Sequence, residues 1–191
     1  AEEVELRARR DEVREEIKNQ IELILGLGIN VSHLDNHMGS LYGLTYGNSF
    51  LDIVFEFCQE YNFPFRLPRN LTEETRKELP KEAIASYERI IDLADRKGVR
   101  LIDYLLSYPF SLEDGEDYYT FKKKVIRILR NLECGVSELY IHPGLATEEL
   151  KAINPHWEKR YMEFELFRDE EVFKVIQDEG IRLIGWKDLR D

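Results

Sequence analysis

Between residues 3 and 25, Val13, Ile17, Ile21, Ile24 and Leu25 recur at three- and four-residue steps among dense glutamate and arginine, and the run stops at Gly26 and Gly28. That spacing gathers the apolar side chains on one face of a helix. "GINVSHLD" follows as a short β-rich run. The unit then repeats in kind: a helix over "SFLDIVFEFCQEY", a strand at "NFPFRLP", a helix from Pro80 to Gly98 and a strand at "VRLIDYLL". Next come a helix in "DYYTFKKKVIRILRNL" closed by Gly135, a strand at "SELYIHPG", a helix in "DEEVFKVIQDEG" and a strand at "IRLIGW". Alternating helices and strands with short connections are crossover units that build a parallel sheet or barrel. The expected class is α/β.

The alternation begins on a helix, whereas a crossover helix follows a strand, and a complete eight-unit barrel takes roughly 250 residues. The chain therefore reads as the later part of a larger barrel-like unit, its first strands lying outside it. No repeat of fixed period and no low-complexity linker interrupts residues 1–191, so one domain is expected.

Composition narrows the partners. A hydrophobic content of 43% over 191 residues is that of a globular chain. The net charge of −11 opposes broad binding to nucleic acid or anionic lipid and favours a neutral or cationic small substrate. The acid-rich helix faces at 1–20 and 73–82 are expected to be solvated. Cys58 and Cys134 have no partner spacing and read as buried free thiols. No apolar run of about 18 residues exists for a spanning helix, and no signal sequence is visible, so a cytoplasmic location is the expectation. Nothing in the sequence decides between a monomer and a homodimer.

Three strand ends carry chemistry. In "NVSHLDNHMGSLYG" an extended backbone would set Ile29, Val31, His33, Asp35 and His37 on one side, the polar three at the C-terminal end, where parallel α/β folds build active sites. A metal site and a hydrogen-bonded turn with a solvated His37 both suit that spacing. In "ELYIHPG", Pro143 ends the ladder and leaves His142 at a strand end, fit for proton transfer near neutral pH or for a capped turn. In "FRLPRN", Arg66 or Arg69 could grip a carboxylate in two-point fashion or lie on the surface.

"HLDNHMG", "PFRLPR" and "ELYIHPG", in that order over nearly the whole chain, resemble the YdjC/ChbG family of carbohydrate deacetylases, which carries a His-Leu/Ile-Asp-Ser-His motif, an arginine-containing strand and a late His-Pro motif. The resemblance implies a deformed TIM-type barrel, an N-acetylated sugar or oligosaccharide as substrate and a divalent metal, Mg or Zn first. It also implies His37 as a metal ligand, His142 as catalytic acid, His33 and Asp35 as supporting groups, and Arg66 or Arg69 as the partner of the catalytic aspartate. The family's Ala-Asp-Asp-Phe-Gly-like strand and its Gly-x-His motif do not occur in this chain. Asn36 and Met38 stand where a small serine and a further histidine are common, which suggests a subgroup with a different sugar. The competing readings are a non-catalytic sugar-binding relative and a metal-dependent phosphoesterase barrel, for which "LIDYLL" offers only Asp103.

Overall fold

In the computed structural model, which describes residues 2–43 and 45–190, the alternating pattern of "FRLP" becomes β1 (Phe65–Pro68), with Phe65 and Leu67 buried and Arg66 half-buried. β1 is bonded on both edges. The Phe65 N–H donates to Arg100 O (2.9 Å) and the Arg69 N–H to Ile102 O (2.8 Å), joining β1 in parallel to β2 (Leu101–Ile102). On the other edge the Leu34 N–H donates to Pro64 O (2.9 Å) and the Arg66 N–H to Leu34 O (3.0 Å), a parallel bridge between Leu34 and Phe65. Three stretches thus run in the same direction, which sets Asp35 beside Arg66 and Asp103 beside Asn70.

The elements before β1 are α1 (Glu2–Arg7), α2 (Arg10–Gly26), a 3-10 turn at His37–Gly39 and α3 (Leu51–Tyr61); α4 (Glu73–Glu78) and α5 (Lys81–Arg96) lie between β1 and β2. Then follow β3 (Tyr104–Leu106), α6 (Tyr118–Arg130), β4 (Ser137–Leu139), α7 (Glu148–Ile153), α8 (Trp157–Leu166), α9 (Glu170–Asp178) and a 3-10 turn at Trp186–Leu189. The chain divides into two compact units, residues 1–104 with 184–191, and residues 105–183. In the first, α3 and α5 close over Phe65, with Leu51, Phe55, Ala94 and Val99 in one core, while Ile21, Phe50 and Phe63 form a second with α2. The core of the other unit is Phe121, Val125 and Leu129 of α6, Leu166 of α8 and Val172 and Val175 of α9. α6 starts on a capping box, Asp117 accepting from the Thr120 N–H (2.8 Å) and Thr120 Oγ1 from the Asp117 N–H (2.9 Å), which satisfies two otherwise orphaned donors.

The class is mixed α/β with parallel pairing, but the described sheets are two-stranded, β1 with β2 and β3 with β4, and do not by themselves close a barrel. The stretch at 29–35 shrinks to the single bridge at Leu34, and "IRLIGW" forms no strand, because an extended backbone becomes a strand only beside a partner for its ladder. The helix expected over 3–25 breaks at Arg9, whose backbone is extended and whose guanidinium grips Asp11 (3.1 and 2.8 Å) across the break. α8 went unseen because two of its inward positions are Lys159 and Glu163 rather than apolar residues. Glu5 corrects the expectation of a wholly solvated acidic face: it is 3% exposed and accepts the backbone N–H groups of Thr45 (3.2 Å) and Tyr46 (2.7 Å). In the second acid-rich stretch Glu73 is exposed, and the side chains of Glu74 and Glu78 lie outside the described residues. Cys58 is buried, which pushes its thiol up to about 12, whereas Cys134 is exposed, against expectation.

Because Phe65 is fully buried and its strand carries both neighbours, Phe65→Ala should lower stability by about 3–5 kcal/mol in urea unfolding. A loss under about 1 kcal/mol would show that β1 is not the centre of its core.

Candidate active site

The segment that follows α2 runs over the apolar faces of α2 and α3 and is pinned at Leu34, which packs on both cores of the first unit. Its flanking polar residues are thereby fixed. His33 stacks face to face on Trp186, ring centroids 4.2 Å apart and 6° from parallel, and its Nδ1 lies 2.9 Å from Ser32 Oγ. Asp35 spends both carboxylate oxygens: Oδ1 accepts the Asn36 N–H (2.6 Å) and Oδ2 pairs with Arg66 Nη1 (3.2 Å). Asp35 is exposed, so this pair adds at most about 1 kcal/mol, and its effect is orientation rather than stability. His37 opens the 3-10 turn with an exposed side chain, and Met38 behind it takes the left-handed φ of 55° that swings the chain back toward Ser40.

His33, Asp35 and His37 line one cavity of about 700 Å³, walled on its apolar side by Val13, Ile17 and Ile21 of α2. Strict alternation does not hold, since Leu34 and Asn36 line the same cavity; a stretch with one bridge is free to twist. Asn36 is 8% exposed, its Oδ1 accepts from Ser40 (2.8 Å), and its Nδ2 has no acceptor among the described residues. Tyr42 donates to Arg66 O (3.2 Å), and its hydroxyl is pushed up to about 12 by burial and then by the charge of Asp35.

Of the two candidate arginines, the first unit brings Arg66 to Asp35 and turns Arg69 elsewhere. Arg69 forms a two-point pair with Asp95 (3.1 and 2.7 Å), which holds the Asp95 carboxyl below its usual range and ties β1 to α5. His142 belongs to the second unit. It follows β4 with an exposed ring, set edge-on to Phe110 (4.8 Å between centroids) and Tyr140 (5.7 Å).

Among the described residues no three of His, Cys, Asp and Glu come together to hold a metal ion. The orphaned Asn36 Nδ2 is a donor, and a donor does not ligate a cation. These residues therefore do not complete a cation site; His37, whose side chain is open at the cavity wall, is the ligand they could offer. Trp186, Tyr42 and Glu163, which accepts the His142 backbone N–H (2.9 Å), were missed from sequence. Each acts through a contact between distant positions, and no local spacing announces that.

Replacing Trp186 by alanine should cost about 1 kcal/mol, the worth of a stacked ring pair. It should also move the His33 ring proton resonances downfield as ring-current shielding is lost. An unmoved His33 signal would rule out the stack.

The model of the YdjC-like protein family matches residues 1–178. A carbohydrate deacetylase of Thermoanaerobacter pseudethanolicus is 30% identical over 95 residues, which is 50% of this chain and 36% of that protein. A solved structure from Enterococcus faecalis V583, provisionally described as a cellobiose-phosphate cleavage protein, shares the fold with a TM-score of 0.62 at 22% identity, over 95% of this chain and 61% of its own. The chain thus spans about a third of the curated relative's length. With its family model matched over nearly the whole length and its His-x-Asp-x-His stretch lining a cavity, this chain belongs to the YdjC-like family.

Proposed function

We propose that the chain is part of a carbohydrate deacetylase, a hydrolase that removes acetyl groups from N-acetylated sugars or oligosaccharides. The observation that carries the reading is the convergence of His33, Asp35 and His37 on one cavity, with Asp35 fixed from two sides. The curated relative supports the activity class. The net charge of −11 suits a neutral sugar better than an anionic one. In the reaction water adds to the acetamide carbonyl, the C–N bond breaks, and acetate and a free amine leave. His142 gives the departing nitrogen its proton, a role that a histidine fills near neutral pH. Arg66 holds Asp35, and Trp186 holds His33.

Metal dependence is the finer part of the proposal. A divalent cation, Mg or Zn, would take His37 as one ligand, and its others would come from the portion of the longer relatives that this chain does not span. Such an ion supplies Lewis-acid polarisation of a carbonyl. The barrel closed by further strands is proposed on the same footing.

In the intact protein, His37→Ala should abolish acetate release from N-acetylated chito-oligosaccharides, and Asp35→Asn should lower it about 10- to 100-fold, as loss of an orienting group does. Chelator should suppress the wild-type activity and added Mg or Zn restore it. Acetate release that survives both His37→Ala and chelation would refute the site. Release that survives chelation but not the substitution would remove the metal alone.

A further inference from the structure

The second unit buries a carboxylate that the proposed chemistry leaves unused. Glu163, on α8, is 1% exposed, and burial raises its pKa against the opposing pull of Arg160, Tyr108 and Lys159. Burying a carboxylate is costly unless its contacts are well made. Those contacts run to the late His-Pro turn. Glu163 Oε2 accepts the backbone N–H of His142 (2.9 Å). One turn earlier on the same helix, Arg160 Nη1 donates to His142 O (3.4 Å), and Arg160 O accepts the Gly144 N–H (3.0 Å). Both backbone polar groups of His142 are therefore held by one helix.

Two further contacts make the turn stiff. A Cβ at Gly144 would lie 2.8 Å from Leu150 Cδ2 and 3.4 Å from Arg160 Cβ, so the turn passes close to α7 and α8. Phe110 touches the His142 ring on one side and lies under the Arg160 guanidinium (5.8 Å) on the other. The His142 ring itself is exposed. The backbone is fixed while the ring stays open, which is what a proton donor that must meet a departing atom requires.

We infer that Glu163 and Arg160 form a clamp that positions His142 for proton transfer, an inference that rests on the reading of His142 as the catalytic acid. Both are positioning residues: they reach the substrate only through His142. An acceptor on the N–H of His142 and a donor on its carbonyl, both from one helix, fix the two peptides that flank the residue.

Amide hydrogen exchange on the full chain reads the clamp directly. Glu163→Ala should speed exchange of the His142 amide about 10-fold or more, the loss expected for a bond to a charged acceptor. The amides of Val125 and Leu129 in α6 should be unmoved, and Glu163→Gln, which keeps an acceptor, should stay near wild type. Should Glu163→Ala not fold, Arg160→Met tests the carbonyl side with the same His142 readout. An unchanged His142 amide, or equal acceleration in α6, overturns the clamp. In the intact protein, kcat for acetate release should fall about 10- to 100-fold in Glu163→Ala with KM steady, and recover in Glu163→Gln. Acetate release with an unmoved kcat in Glu163→Ala overturns the clamp alone. A wild-type protein that releases no acetate overturns the deacetylase reading and the catalytic purpose of the clamp together, while the exchange result still reports the contact.

Discussion

The site in the first unit depends on one strand having neighbours on both edges. Phe65 of β1 and Arg69 just after it give their N–H groups to the stretch at 100–102, Arg66 gives its own to Leu34, and Pro64 accepts from Leu34. A parallel pairing brings strand ends of the same sense together, so Asp35 meets Arg66 even though 31 positions separate them. Phe65 anchors the arrangement from below with no exposed surface, packed edge-on against Phe55 (5.7 Å) and Tyr42 (6.5 Å). Aromatic contacts of this kind set position as well as energy. Polar geometry above thus inherits its precision from apolar packing beneath.

Residues 184–190 hold the stretch before β1 from a distant part of the chain. Trp186 lies flat on His33, and Arg190 donates to Val31 O (3.0 Å) while its guanidinium covers the Phe63 ring (5.0 Å). The stretch before β1, which has only one bridge of its own, gains its second set of contacts there. This strap lies beyond the residues matched by the family model, 1–178.

What the sequence made legible was period and local chemistry. The apolar steps of α2, α3, α5, α6 and α9 found those helices, and "FRLP" found β1, because each pattern has one buried face. The His-x-Asp-x-His stretch lines one cavity, and Arg66 pairs with Asp35, a contact that the sequence did not name. Three things stayed hidden for physical reasons. α8 carries Lys159 and Glu163 inward, where Lys159 Nζ pairs with the equally buried Glu116 (2.7 Å) and sits over the Phe121 ring (3.9 Å), so a charged face plays the part of an apolar one. Strand lengths shrank because a ladder needs a partner that local sequence does not name. Trp186 meets His33 across more than 150 residues, and only the folded chain brings them together.

The four histidines of the chain, at 33, 37, 142 and 156, make the central claim directly measurable through their ring resonances. Titrating the intact protein with an N-acetylated chito-oligosaccharide in the presence of Mg or Zn should shift the His33 and His37 signals together and leave the exposed His156 unmoved. Saturating sugar that perturbs neither His33 nor His37, or that moves His156 alone, would contradict the placement of the sugar in this cavity and the deacetylase reading built on it.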